Sequence, residues 1–186
     1  MTEKNWPSFK PLIHHDIDAA IDGPHERALV HRSYNLWKFY ALTLVANLVA
    51  VIGLATTGLW GSMVIGILLA VLYLLILPVV DFLGRHWNLY NGFRSQSPMS
   101  IRLFFLAQAL FIFFDFFIGI GLFAGGGGGI IAMTRCFQNS KYVAGVLSAI
   151  CVVFVFTLAG FNVVLFIEVY KAFKGRGWPL LPGGKS

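Results

Sequence analysis

The sequence predicts an all-α polytopic membrane protein, a bundle of four transmembrane helices preceded by an N-terminal amphipathic interfacial helix. Three observations carry that expectation. Of the 186 residues, 58% are hydrophobic and only 12% charged, too little polar surface to coat a water-soluble globule of this size. The apolar residues gather into four runs, each near the ~20 residues needed to cross a hydrocarbon core about 30 Å thick. The charged residues stand almost entirely at the ends of those runs.

Residues 1–38 form a polar segment without the apolar stretch and small-residue cleavage site of a signal peptide, so the first span is expected to direct insertion itself. Within it, Asp22, Gly23, Pro24, His25 and Glu26 make a helix start signal, with Pro24 suited to the first helical position and Glu26 placed to reach back. A helix from there through Ala28, Leu29, Tyr34 and Trp37 is amphipathic. It is expected to lie along the headgroups before turning into the membrane, with Arg27, Arg32 and Lys38 toward anionic lipid.

The membrane domain then covers residues 39–170, with spans over 39–59, 62–83, 102–124 and 143–169. Trp60, Gly61 and Ser62 allow only a tight hairpin between the first two. Pro78 near the end of the second predicts a kink or stop, because proline removes a donor and crowds the preceding turn. Residues 84–101 are polar and aromatic and read as an interfacial loop. The third span is dense in Phe and ends at five consecutive glycines, 125–129, which read as a flexible connector within the loop 125–142. Ile130, Ile131, Ala132 and Met133 are too few to cross and suggest a half-inserted segment. Residues 171–186 form the tail, its last ten residues expected to be disordered.

Twelve of the fourteen Lys and Arg residues flank one face: five before the first span, three between the second and third, and four after the fourth. Only Arg135 and Lys141 flank the other. The positive-inside rule therefore predicts that both termini and the 84–101 loop are cytoplasmic. The same placement accounts for the net charge of +6 without nucleic acid, since no dense polar basic patch exists. Cys136 and Cys151 match neither a disulfide framework nor a metal-ligand spacing.

Asn5, Trp6, Pro7 and Ser8, the stretch 17–37, and the run Trp87, Leu89, Tyr90, Gly92, Phe93, Arg94 and Ser95 together resemble the secretory carrier membrane proteins, or SCAMPs, from residue 5 to about 173. The last run is similar to that family's cytoplasmic peptide Trp-Tyr-Arg-Pro-x-Tyr-x-Ala-Phe-Arg-Ser. Its Tyr-x-x-Phe-Arg-Ser half matches, whereas Trp87 and Asn88 stand where the family has Arg and Pro. The resemblance implies a short form without the Asn-Pro-Phe repeats of longer members. It further implies a four-span protein of the trans-Golgi network, post-Golgi vesicles, endosomes or plasma membrane that assists vesicle traffic, with no enzymatic activity and no cofactor.

Two sets of residues are candidates for function. The first is an acidic-lipid or phosphoinositide surface made of Arg85, Trp87, Tyr90, Phe93 and Arg94 with Arg27, Arg32 and Lys38, each basic group contributing roughly 1 kcal/mol beside an anionic leaflet. An ordinary aromatic belt with positive-inside charge is the competing reading. The second set is intramembrane. Asp115 near the middle of the third span costs roughly 2.5 to 3.5 kcal/mol if it faces lipid, so it is expected to point into the bundle with Gln108 and Gly119 on its face. Asn47 and Asn162 are candidate partners. With no Lys or Arg expected at that depth, a neutral Asp115 is predicted rather than an ion pair. This set reads as a structural clamp or as a proton or cation path. His14, His15, Asp16 and Asp18 match no metal pattern.

The readings that follow are a trafficking protein organising acidic lipid or partner proteins at budding and fusion sites, a small oligomeric channel or transporter centred on Asp115, and an accessory subunit of a larger membrane complex. Pairs of small residues four apart, such as Ala46 and Ala50, allow close helix approach and leave self-association open.

Overall fold

The computed structural model describes residues 15–60, 63–121 and 126–178. Asn5 to Ser8, His14, Gly61, Ser62, Gly125 and the end of the tail lie outside these. Among the described residues the elements are all helical: α1 (Ile17–Ala20), α2 (Pro24–Ala55), α3 (Val64–Asp81), α4 (Trp87–Arg94), α5 (Pro98–Ile120), α6 (Ile130–Gln138) and α7 (Tyr142–Gly175), with one wide π-helical stretch, Phe82–His86, between α3 and α4. Four helices are long and apolar enough to cross a membrane. Their outer faces carry Ile65, Leu75, Phe113 and Val143 in the open, Phe113 at 73% exposure. Such rings and branched chains, contiguous along 20 residues, need hydrocarbon as their solvent.

α2 and α7 form the central pair, with α3 laid against α2 and α5 against α7. At 1.5 Å per residue, the 32 residues of α2 and 34 of α7 reach about 48 and 51 Å, well past a 30 Å core. Their extensions run side by side at the end of the bundle where Ile17 and Trp178 lie. There they enclose α1 and α4 in an apolar cluster containing Ile17, Ile21, Leu29, Leu89, Phe93 and Phe173.

Local chemistry sets the boundaries. Pro24 occupies the first turn of α2, where its missing N–H costs nothing. Ser97 caps α5, accepting from the Ser100 N–H at 3.4 Å, with Pro98 next. α5 stops at Gly121, whose φ of +72° is the left-handed conformation that closes a helix C-terminus.

Four expectations are corrected. No turn separates the amphipathic stretch from the first span; both belong to α2, because Leu29, Val30 and Ser33 are buried against protein rather than headgroups. Pro78 does not stop the second helix. The chain continues from Val64 to Arg94, and Trp37 on α2 donates its indole N–H to the Pro78 carbonyl at 2.8 Å, fastening α3 there. The 84–101 interval is therefore helical through Arg94, and the actual link to α5 is Ser95, Gln96 and Ser97, with Gln96 at φ +51°. The glycines from 126 to 129 are not a loose connector. Asn47 donates to the Gly126 carbonyl at 2.7 Å and accepts from the Gly128 N–H at 2.9 Å, drawing the strand of glycines into the bundle. A Cβ on Gly128 would come within 2.5 Å of that of Ala50. α7 runs on to Gly175, past the end of the fourth apolar run.

Candidate functional site

The π-helical stretch is the local feature that builds the site. The Trp87 N–H bonds to the Phe82 carbonyl five residues back, one residue more than an α-helix uses. That extra residue shifts the helical face, and π-bulges of this kind are frequent at functional sites. It turns Arg85 and His86 into the bundle.

Arg85 is 1% exposed. Its Nη2 donates to Asp81 Oδ2 at 2.6 Å, four residues earlier, and its Nη1 donates to Asn162 Oδ1 on α7. Asn162 passes the connection on, its Nδ2 donating to Asp115 Oδ2 on α5 at 3.0 Å, while Gln108 Nε2 donates to the Asn162 backbone carbonyl at 2.8 Å. Phe111 sits below the guanidinium at 5.8 Å and stacks edge-on with Tyr40 at 5.5 Å. Asp81, Arg85, Asn162 and Asp115 thus form one buried chain linking α3, α7 and α5. Removing each ion from water costs several kcal/mol, so a charged Arg85 is tolerable here only with its carboxylate and amide partners in place.

The expected partition of this set is partly corrected. Asn162 and Gln108 do meet Asp115's neighbourhood. Asn47 does not; it is committed to the glycine segment and to the Cys151 thiol, 3.6 Å away. A guanidinium does reach the level of Asp115, because the wide turn and the long Arg85 side chain carry charge inward from the end of the span. Asp81, at the end of α3, is fully buried.

A second cluster lies just beyond. His15 Nε2 and His86 Nε2 are 2.8 Å apart, and His86 Nδ1 is 3.3 Å from Ser33 Oγ. A bond between two ring nitrogens requires one of them to be unprotonated, the other donating. The His15 ring is packed among Tyr34, Phe82, His86 and Tyr90, with centroids 5.0 to 6.0 Å away. Tyr90 Oη donates to the Asp16 carbonyl at 3.3 Å. The chain before α1 is therefore held by the aromatic face of α4. Beside it His31 Nε2 meets Asp18 Oδ1 at 3.0 Å, and this hydrogen bond lowers the Asp18 pKa below its ordinary 3.8.

Of the residues assigned to a lipid surface, Arg85, Tyr90 and Phe93 are buried, at 1%, 0% and 2% exposure, because the π-bulge and the helical pitch aim them at α2, α5 and α7. Trp87 is half-buried, stacked on Tyr90 at 5.3 Å. Arg27 donates to the Ile21 carbonyl at 2.9 and 3.0 Å, closing the end of α1. Arg32 is exposed but ion-paired with Glu168. Lys38 and Arg94 are exposed, lying over Tyr34 and Tyr90 at 4.9 and 5.8 Å. Arg176, read as part of the tail's positive charge, joins Glu26 at 2.7 Å and Gln96, and lies over Phe93 and Trp178. It ties the start of α2 to the end of α7.

His15, Ser33, Asp81 and His86 were not singled out as site residues. The Asp81–Arg85 pairing had a signal in the sequence, the i, i+4 spacing of opposite charges on one helix. The histidine pair had none, its members being 71 residues apart.

These features define a four-span helical membrane protein with an internal polar chain and an aromatic head formed by its longest helices. The chain belongs to the SCAMP family, whose model matches residues 3–176. It is 31% identical to secretory carrier-associated membrane protein 5 of Arabidopsis thaliana, over 94% of this chain and 60% of that protein. It is 29% identical to secretory carrier-associated membrane protein 2 of Oryza sativa subsp. japonica, over 94% and 61%, and 28% identical to secretory carrier-associated membrane protein 4 of Bos taurus, over 94% and 76%. The chain thus spans about three fifths of the length of these plant relatives. No solved structure matches it.

Proposed function

We propose that this protein serves membrane traffic, in secretory and endocytic carriers, by holding a basic face against an acidic cytoplasmic leaflet, without catalysing a reaction. Membership of the SCAMP family supports the trafficking role. The observation that carries the lipid contact is the division of α4 and its surroundings into two faces: Tyr90 and Phe93 lie inside, and Arg94, with Lys38, Lys171 and Lys174, lies outside. In this reading the family's peptide is a fastening that sets the ends of α2, α5 and α7, and the exposed cations around it meet anionic headgroups and trafficking partners. Four such groups at roughly 1 kcal/mol each are enough for reversible attachment.

The test is flotation of the nanodisc-reconstituted protein with liposomes of fixed total charge, with and without phosphoinositide. Arg94→Ser with Lys38→Ser is expected to weaken binding roughly tenfold or more, at two groups of roughly 1 kcal/mol each. Binding that is unchanged in the double variant would remove the charged-face reading. Equal binding to both liposome types would remove phosphoinositide selectivity alone.

The buried chain from Asp81 to Asp115 favours a second reading, a proton or cation path. Asp115→Asn keeps the shape and the acceptor and removes the titrating group. An ion or proton flux that the wild type shows and this variant lacks would support a path; absence of flux in both would leave the chain as a structural clamp.

A further inference from the structure

Between α2 and α7 a cavity of about 620 Å³ opens sideways out of the bundle. Most of its wall is apolar: Leu36 and Phe39 from α2, and Phe161, Val164 and Leu165 from α7. One end is polar, made by Arg32, Asn35 and Glu168. Along α2 no charged residue occurs from Phe39 to Ala55, and along α7 none from Val143 to Ile167. The hydrocarbon boundary therefore falls beside Phe39 and Ile167. The polar end of the cavity sits in the headgroup layer and its body in the acyl layer.

An occupant must then be an amphiphile resident in the membrane, and the wall chemistry narrows its class. Arg32 and Glu168 are ion-paired with each other, so the mouth has no net charge. A phosphate there would have to displace the Glu168 carboxylate and would be repelled by it. A hydroxyl, which both donates and accepts, fits the carboxylate, the remaining guanidinium donors and the Asn35 amide together. The volume is within the range that holds one compact ligand. Flexible acyl chains lose rotamer freedom when confined, whereas a fused ring system has almost none to lose. We propose that this cavity binds one membrane sterol, its hydroxyl at Arg32, Asn35 and Glu168 and its rings along Phe39 and Phe161.

The experiment uses the full chain in nanodiscs and a photoreactive sterol carrying an alkyne handle. Labelling is expected to saturate, to map to peptides containing residues 32–39 or 157–168, and to be displaced by unlabelled sterol but not by phosphoinositide. Val164→Trp fills the cavity from a half-exposed position and is expected to reduce labelling at least fivefold. Leu75→Trp, on the lipid face of α3, is expected to leave it unchanged. Non-saturating labelling, insensitivity to Val164→Trp, an equal loss with Leu75→Trp, or displacement by phosphoinositide as effective as by sterol would each overturn the proposal. So would labelling that disappears on dimer formation, with Val164→Trp dissociating the dimer; the cavity would then belong to a second copy.

Discussion

Replacing Arg85 by Met removes the guanidinium that pairs with Asp81 inside the bundle. Asp81 is fully buried and Arg85 is 1% exposed, so water cannot take over the pairing. The same change leaves Asn162 Oδ1 without its donor. Breaking one partner of a buried pair costs about 3 to 5 kcal/mol. For a chain of this length, each kcal/mol corresponds to about 2 to 4 °C of midpoint, so a decrease on the order of 10 °C is expected. The double variant Asp81→Asn with Arg85→Met removes both charges, and most of the loss is expected to return. Thermal unfolding of the four proteins of the cycle in nanodiscs, followed by tryptophan fluorescence, measures the coupling. If the single variant loses less than 1 kcal/mol, or if the two changes simply add, Arg85 is not paired inside the bundle. A stable Arg85→Met protein with reduced liposome affinity would instead return Arg85 to the lipid surface.

Phe93→Ala opens a cavity among Leu89, Ile101 and Phe173 and should cost about 3 to 5 kcal/mol; chemical denaturation measures it, and a change under 1 kcal/mol would mean the ring lies in the headgroups. Gly128→Ala forces the glycine segment and Ala50 apart, at about 1 to 3 kcal/mol, with loss of amide protection at Gly128 by hydrogen exchange. The Asp18 carboxyl should titrate below 3.8 by NMR and return to that ordinary value in His31→Ala. Because the folded pKa is depressed, its contribution to docking α1 is present at neutral pH and is lost as pH falls through the lowered value.

The four spans were legible because lipid exposure imposes a requirement on every residue of a helix, so composition over 20 positions suffices. Asp115's inward orientation followed from cost alone, and Asn162 as its partner from the small number of amides available at that depth. The fate of residues 84–101 was not legible. Polar and aromatic residues read the same whether they coat an interface or line the inside of a protein head, and only the packing of α2 and α7 beyond the bilayer distinguishes the two. The glycine run misled for a related reason. Glycine supplies freedom when unpartnered and close approach when a neighbour such as Asn47 clasps its backbone.

What the amino-acid sequence by itself determined is therefore the medium: which segments must be helical and surrounded by hydrocarbon, and that Asp115 must be hidden. Only the tertiary structure decided which polar groups pair. Arg85 with Asn162 and His15 with His86 join residues more than 70 positions apart. Such pairings depend on a one-residue widening of a helical turn and on two helices overrunning the membrane together, and neither leaves a periodic mark in the chain.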